Sequence, residues 1–406
     1  MEKLTTKKEI NRMALLFAVT YMVSYITRTN YGAVVEAMAE TTEYTKDLLS
    51  MALTGSFITY GTGQIISGLL GDRFSPKKLV SYGFIVTIIM NLLIPFCANP
   101  YQMLAVWCVN GFAQAFMWPP LAKLMSAFLS EENYRLVSVK VSWGSSVGTI
   151  IVYLTSSIIV SFTSWRMMFI FSAACGAIIL FIWNKFSYEL DPSEQINPVK
   201  TEEKAPKKKM SGSLLFAPVM IGAMVGIIFQ GMLRDGVTTW MPSYINDTYK
   251  LGSSIAILTG VVLPIFSIIT FRLAGWMYKK ITNPLLCAGV IFGFGTVAAL
   301  ALYLLSDFNP IFSVLFSAML TGSMHGVNLI LICMIPPYFS KYGNVSTVSG
   351  VLNSCTYIGS AISTYGIALL SEKKGWSFTL LMWLAIAAAG TLVCLVCVRA
   401  WKKKMG

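Results

Sequence analysis

Two arginines, Arg28 and Arg234, stand deep inside long apolar runs, where a charge is costly and marks a functional position by default. Arg28 lies about fifteen residues into its run, roughly 22 Å of helix, near the middle of a bilayer core about 30 Å thick. Arg234 lies at a similar depth in its own run. Neither easily reaches water, and a guanidinium there offers a fork of donors that matches phosphate or carboxylate. The chemistry that follows is anion binding. The alternative is that each arginine pairs with a structural acid. Of the 18 acids, Glu36, Asp72 and Asp235 fall in or at the ends of apolar runs. Glu36 is about 12 Å of helix beyond Arg28, and Asp235 adjoins Arg234, where successive side chains diverge by about 100°. Neutralising both arginines internally is therefore expected to be difficult, which leaves positive charge for an anionic substrate.

Other polar groups extend this picture. Tyr21, Tyr25 and Arg28 are spaced i, i+4, i+7 and share one helix face, as a polar cavity lining would, although packed aromatic rings give the same pattern. Lys123 and Lys140 lie near the ends of their runs, where they either snorkel or form an access path for anions; Arg272 snorkels one turn from the end of its run. His325, the one histidine, is flanked by Gly322 and Gly326; a buried, hydrogen-bonded ring and a proton relay are both open. A single histidine cannot make a His cluster for a metal, and no G-x-x-x-x-G-K-[ST] loop is present for ATP. All eight cysteines fall in apolar segments. Cys394 and Cys397 have redox-motif spacing, but in the last apolar run they read as small buried residues. The sequence implies no enzyme activity, no metal and no cofactor.

The elements that must hold these groups follow from composition. Hydrophobic residues make up 55% of the 406 and charged ones 12%, about half the charged share of a soluble domain, which is near 25%. Apolar runs broken by charge, Pro, Gly or Asn predict twelve membrane-crossing helices. They fall near 13–39, 47–71, 78–98, 101–129, 135–161, 164–187, 213–245, 252–278, 283–305, 309–337, 345–370 and 375–399. The first run lacks an A-x-A-like cleavage site and contains an arginine, so it is expected to stay as a span. Residues 189–212 form a basic linker with the run Lys207, Lys208 and Lys209, which divides the chain into six-helix bundles at 1–188 and 213–406. Most of the 31 basic residues fall in the N-terminal arm, this linker, the C-terminal tail and the even-numbered loops. The positive-inside rule then puts both termini in the cytoplasm. Basic loops beside an anionic leaflet account for the net charge of +13, so no nucleic-acid partner is needed.

The two halves repeat. Arg28 and Arg234 are offset by 206, Gly68 and Gly275 by 207, and Gly148 and Gly359, like Trp165 and Trp376, by 211. Pro119 and Pro120 return as Pro336 and Pro337. Slowly growing offsets suit a duplicated six-helix unit with loop insertions, and parallel halves of this kind are the plan of the major facilitator fold. The loop after span 2 adds a motif: Gly68-Leu69-Leu70-Gly71-Asp72-Arg73 and then Phe74-Ser75-Pro76-Lys77-Lys78 resembles the G-x-x-x-D-R-x-x-x-[KR]-[KR] signature of that superfamily. Asp72, Arg73, Lys77 and Lys78 then form a gating charge cluster that locks one arrangement and releases in another, or simply a solvated basic turn.

Finer motifs resemble the organophosphate:phosphate antiporter family. They are Tyr25-Ile26-Thr27-Arg28-Thr29-Asn30-Tyr31, Gly111-Phe112-Ala113-Gln114 with Trp118-Pro119-Pro120 and Lys123, Leu233-Arg234-Asp235-Gly236 with Trp240 and Pro242, and Thr347-Val348-Ser349-Gly350 with Tyr357-Ile358-Gly359. The resemblance implies an all-α membrane protein that exchanges phosphate esters for inorganic phosphate by alternating access. It implies that Arg28 and Arg234 clamp the phosphate, that Tyr21 and Tyr25 line the site, and that Trp118 and Tyr357 contribute. It also marks departures: Ser145 stands where the family has a histidine, Gln64 where some members have a lysine, Gly231 where a tyrosine precedes the arginine, and Thr239 where an acid follows it. Related anion:cation symporters, which carry carboxylates with protons or sodium, are the nearest rival. Proton coupling would fall to Asp235, Glu36 or His325. A sugar-phosphate sensor on the same fold is a further alternative. The expected setting is a monomer in a bacterial inner membrane, partnered by lipid and a small anion.

Overall fold

A computed structural model describes residues 4, 6–187, 217–251, 259–306, 308–342 and 344–405. The expected linker at 189–212 lies outside the described residues, as does the expected start of span 8 at 252–258. Among the described residues the fold is helical throughout: α1 (Lys7–Thr41), α2 (Lys46–Arg73), α3 (Pro76–Leu93), α4 (Pro100–Gln114), α5 (Trp118–Phe128), α6 (Glu131–Phe162) and α7 (Trp165–Phe186) come first. They are followed by α8 (Pro218–Tyr249), α9 (Val262–Lys280), α10 (Pro284–Leu305), α11 (Pro310–Asn328), α12 (Val345–Val396) and a short α13 (Val398–Met405).

Local chemistry sets these boundaries. Three helices open on an Asn-Pro pair. Asn99, Asn283 and Asn309 each turn a side-chain oxygen onto the first free amides of α4, α10 and α11, and the proline that follows has no N–H to leave unpaired. Span 4 is expected as one helix but is broken between α4 and α5, because Pro119 and Pro120 cannot donate to carbonyls one turn earlier. α12 joins the last two expected spans through Gly375, whose φ of 79° makes the turn between them. α11 runs into a π-helical turn, Leu329–Cys333, before Pro336 opens a 3-10 stretch, Pro336–Tyr342. Eight stretches of the described residues are long and apolar enough to cross a membrane. The more polar remainder includes α2 and the first part of α12, which carry Gly, Ser and Thr at packed positions.

The chain divides into two compact units: Met1–Met210 with Pro336–Ser354, and Ser211–Ile335 with Cys355–Gly406. In the first, α1 crosses α6 where Gly144 and Gly148 lie against the carbonyls of Ala18 and Met22, so closely that a Cβ on either glycine would overlap them. In the second, α8 crosses α12 in the same way, with Gly359 against the carbonyl of Ile228 and Gly231 against that of Thr356. Small residues let membrane helices approach backbone to backbone. Met22 and Ile228 are separated by the offset that separates the arginines, so the sequence repeat is a repeat of packing. Each arginine lies six residues beyond the equivalent crossing.

Gly148→Leu and Gly359→Leu should each destabilise their unit by about 1–3 kcal/mol or more, seen as a lower melting temperature in detergent. Gly293→Ala, inside α10 where a Cβ meets nothing within 4 Å, should not lower the melting temperature.

Candidate functional site

In the first unit, α1 carries Arg28 between two rings. Its guanidinium carbon lies 4.2 Å from the centre of the Tyr25 ring and 4.6 Å from that of Tyr60 on α2. Tyr21 meets Tyr25 edge-on at 5.3 Å and Trp118, at the start of α5, also at 5.3 Å. The i, i+4, i+7 face of α1 is thus an aromatic wall with the cation at one end. Each ring face contributes roughly 0.5–2 kcal/mol to holding a guanidinium.

A buried amide network fixes the turn that carries Arg28. The Thr27 carbonyl accepts from the side chains of Asn91 at 3.1 Å and Asn110 at 3.2 Å, and the Thr27 hydroxyl accepts from Gln114 at 2.8 Å. Asn30 donates to Asn91 at 2.7 Å and to Ser172 at 3.0 Å. Thr27, Asn30, Asn91, Asn110 and Ser172 are fully buried, and bonds among buried groups are expensive to break because the group left behind stays dry. The network draws on α3, α4 and α7, so three neighbouring helices hold the back of the α1 turn while its other face carries the arginine.

The second unit treats its arginine differently. Arg234 on α8 donates through Nε to Asp235 Oδ1 at 2.7 Å and through a terminal nitrogen to Oδ2 at 2.8 Å. This overturns the expectation that adjacent side chains diverge too far to pair: the arginine side chain is long enough to curl back across the 100° offset. Ser360 on α12 donates to the same Oδ2. His325 on α11 lies within electrostatic reach of both Arg234 and Asp235. Its Nδ1 is 2.9 Å from the Thr321 carbonyl and its ring packs edge-on against Phe271. Tyr357, also on α12, presents its ring 5.9 Å from the Arg234 guanidinium. Arg234 and Asp235 are part-buried, with side chains 11% and 22% exposed.

The remaining expected residues are placed as follows. Gln64 is fully buried on α2, one turn beyond Tyr60, and donates to the Ala115 carbonyl at 3.3 Å. Ser145 is buried beside the α1–α6 crossing and donates to the Ser142 carbonyl at 2.7 Å. Lys140 is exposed and reaches Asn11 at 3.0 Å, away from the arginine. The side chain of Glu36 lies outside the described residues. Tyr60 and Ser360 are absent from the sequence reading. Tyr60 could have been found from its i, i+4 relation to Gln64, and Ser360 from standing three residues after Tyr357.

The loop motif makes a separate cluster within the first unit. Asp72, at the end of α2, accepts from the backbone amides of Ser346 at 3.1 Å and Thr347 at 2.7 Å, the opening residues of α12. A carboxylate on a helix N-terminus satisfies amides that the helix cannot pair and meets the positive end of its dipole. Lys123 belongs here and not beside Arg28: its Nζ donates to the Gly71 carbonyl at 2.6 Å and lies 3.8 Å from Asp72. Gly68 and Gly350 allow the backbones to meet, since a Cβ on Gly68 would overlap Ser346 and one on Gly350 the Gln64 carbonyl. Arg73 and Lys78 are exposed, whereas Lys77 is buried, with its carbonyl accepting from the Trp183 indole at 3.2 Å.

Polar clusters set into a helical membrane fold of repeated halves define a facilitator-type integral membrane protein. The chain belongs to the Major Facilitator Superfamily, whose family model matches residues 17–364. It is 23% identical over 88% of its length to the probable hexose phosphate transport protein of Chlamydia trachomatis, covering 84% of that protein. It is 24% identical over 72% of its length to the glycerol-3-phosphate transporter of Bacillus subtilis, covering 70% of it. It is 21% identical over 88% of its length to the membrane sensor protein UhpC of Salmonella typhimurium, covering 84%. Among solved structures, the proton:xylose symporter XylE superposes with a TM-score of 0.75 at 13% identity, over 96% of this chain and 95% of that one.

Asp72→Ala should free the amides of Ser346 and Thr347, a loss of about 0.5–2 kcal/mol for a helix cap. Hydrogen exchange at those two amides should quicken several-fold, while exchange in α10 stays as it is.

Proposed function

We propose that this protein is a secondary active transporter of a small organic anion, with a phosphate ester exchanged for inorganic phosphate as the leading reading. The observation that carries it is the pair of intramembrane arginines on symmetry-related helices, Arg28 held by the Tyr25 and Tyr60 rings and Arg234 by Asp235 with Tyr357 alongside. In this reading Arg28 and Arg234 each supply a guanidinium edge to one anion, Tyr21, Tyr25 and Tyr60 line the approach, and Tyr357 does the same in the second half. The relatives named as hexose phosphate and glycerol-3-phosphate transporters support a phosphorylated substrate. Asp72 and Lys123 are assigned to the gate: the hydrogen bonds of Asp72 to the start of α12, which Lys123 supports from α5, must break when the protein changes state. The two exposed basic residues, Arg73 and Lys78, would take part only in another state of the cycle.

A second reading has a specific observation behind it. The relative named as a membrane sensor matches this chain about as well as the named transporters do, so the second reading is a sensor that would bind a sugar phosphate at these residues and signal without transport. Binding alone does not separate the two; flux does.

The purified protein is to be melted in the presence of phosphate, glycerol phosphate, hexose phosphates and organic carboxylates, because a ligand that binds the native state raises the melting temperature by mass action. Phosphate or its esters should raise it, and Arg28→Ala and Arg234→Ala should each abolish the rise. A rise with carboxylates alone would transfer the assignment to a carboxylate symporter, and none with any anion would end the anion reading.

A further inference from the structure

The two halves repeat, yet they differ at the residue after the arginine. Thr29 follows Arg28, and its hydroxyl bonds back to the Tyr25 carbonyl at 2.8 Å. Asp235 follows Arg234 and grips it with both carboxylate oxygens, at 2.7 and 2.8 Å. Ser360 donates to one of those oxygens, so the carboxylate is held on the arginine from a second helix. Arg234 presents Nε and one terminal nitrogen to Asp235. These are half of the fork through which a guanidinium takes a phosphate or carboxylate in a bidentate manner. An anion that is to use this edge of Arg234 must first move Asp235.

We propose that Asp235 is a built-in counter-anion of Arg234 which the substrate anion displaces, and that the displaced carboxylate takes up a proton, so that anion binding and proton uptake are one event. The proposal rests on the anion-carrier reading above and names its coupling ion. A carboxylate stripped of its partner inside a membrane protein is costly to keep charged. A proton from water that ends on Asp235 removes that cost, and Ser360 still bonds the neutral acid. The charges balance: the incoming anion takes over the guanidinium, and the proton cancels the charge that Asp235 would otherwise leave uncompensated. The groups that face this exchange are Arg234 on α8, His325 on α11, and Ser360 on α12, with Tyr357 against the arginine. His325 is the other group able to receive the proton. Its Nδ1 already sits on the Thr321 carbonyl, which leaves Nε2 as its one remaining site.

The same geometry gives the unliganded carrier a function. With Asp235 on Arg234 the second half is self-neutralised before any substrate arrives. An empty carrier of this kind can change state at less electrostatic cost than one with two bare arginines, so net proton-linked uptake becomes open to it beside one-for-one exchange.

The test is calorimetric titration of the full-length protein in detergent with glycerol phosphate and with inorganic phosphate. It is run at mildly alkaline pH, where both are dianions, in two buffers of different ionisation enthalpy. The wild type should take up roughly one proton per anion bound. Asp235→Asn keeps the size and one acceptor oxygen but not the second acceptor or the competing charge. It should bind the anion about tenfold tighter or more, because the competent fraction of Arg234 rises, and should take up no proton. Ser360→Ala, which loosens Asp235 without removing it, should bind more tightly with proton uptake retained; it keeps the test decisive should Asp235→Asn fold poorly. His325→Gln should leave proton uptake in place. Binding without proton uptake in the wild type, weaker binding in Asp235→Asn, or loss of uptake in His325→Gln would each overturn the proposal. Absence of binding in the wild type and in all three variants would remove the anion reading itself, and with it this one; that result is distinct from the others because no heat is seen at all.

Discussion

A guanidinium in the middle of a membrane must be compensated by something close at hand, and much of what surrounds Arg28 and Arg234 meets that requirement. The two halves meet it differently. In the first, two tyrosine faces enclose the guanidinium, and buried amides from three helices hold the turn beneath it. In the second, a carboxylate on the next residue holds the arginine and a serine from another helix holds the carboxylate. A ring face leaves the donors at the edge of a guanidinium accessible, whereas a bidentate carboxylate occupies them. One half thus holds its guanidinium by ring faces, and the other by a bidentate carboxylate.

The same difference follows from how the helices cross. Tyr25 stands one turn before Arg28; its counterpart in the repeat is Gly231, which lies against the Thr356 carbonyl where α8 and α12 touch. A tyrosine at 231 would push the helices apart. The second unit gives up that ring for a close backbone crossing, and Arg234 takes its support from Asp235 and from Tyr357 on the opposite helix. Packing and electrostatics are linked at this one position.

Much of this was legible in the sequence because the bilayer makes it so. Apolar runs must be helices in lipid, so the helical fold and the paired halves follow from composition and from offsets such as Arg28 to Arg234. Intramembrane charge singles out Arg28 and Arg234 for the same reason. The features that escaped depend on side-chain reach and on contacts between distant helices. The helical angle between Arg234 and Asp235 argues against a pair, but the long, flexible arginine side chain overcomes it. Lys123 and Lys140 look alike as lysines near span ends, yet one reaches Asp72 and the Gly71 carbonyl while the other reaches Asn11. Tyr60 stands one turn from Gln64, yet nothing along α2 shows that its ring closes over an arginine from α1.

The central claim is that Arg28 and Arg234 act on one anion that crosses the membrane. The most direct measurement is uptake of labelled phosphate into liposomes containing the purified protein, with and without phosphate or glycerol phosphate inside, for the wild type and for Arg28→Lys and Arg234→Lys. Lysine keeps the charge but loses the planar fork. The account predicts saturable uptake by the wild type, faster with anion on the inner side, and loss of uptake in both variants. Uptake that survives in either lysine variant, or a protein that binds the anion and moves none, would contradict it.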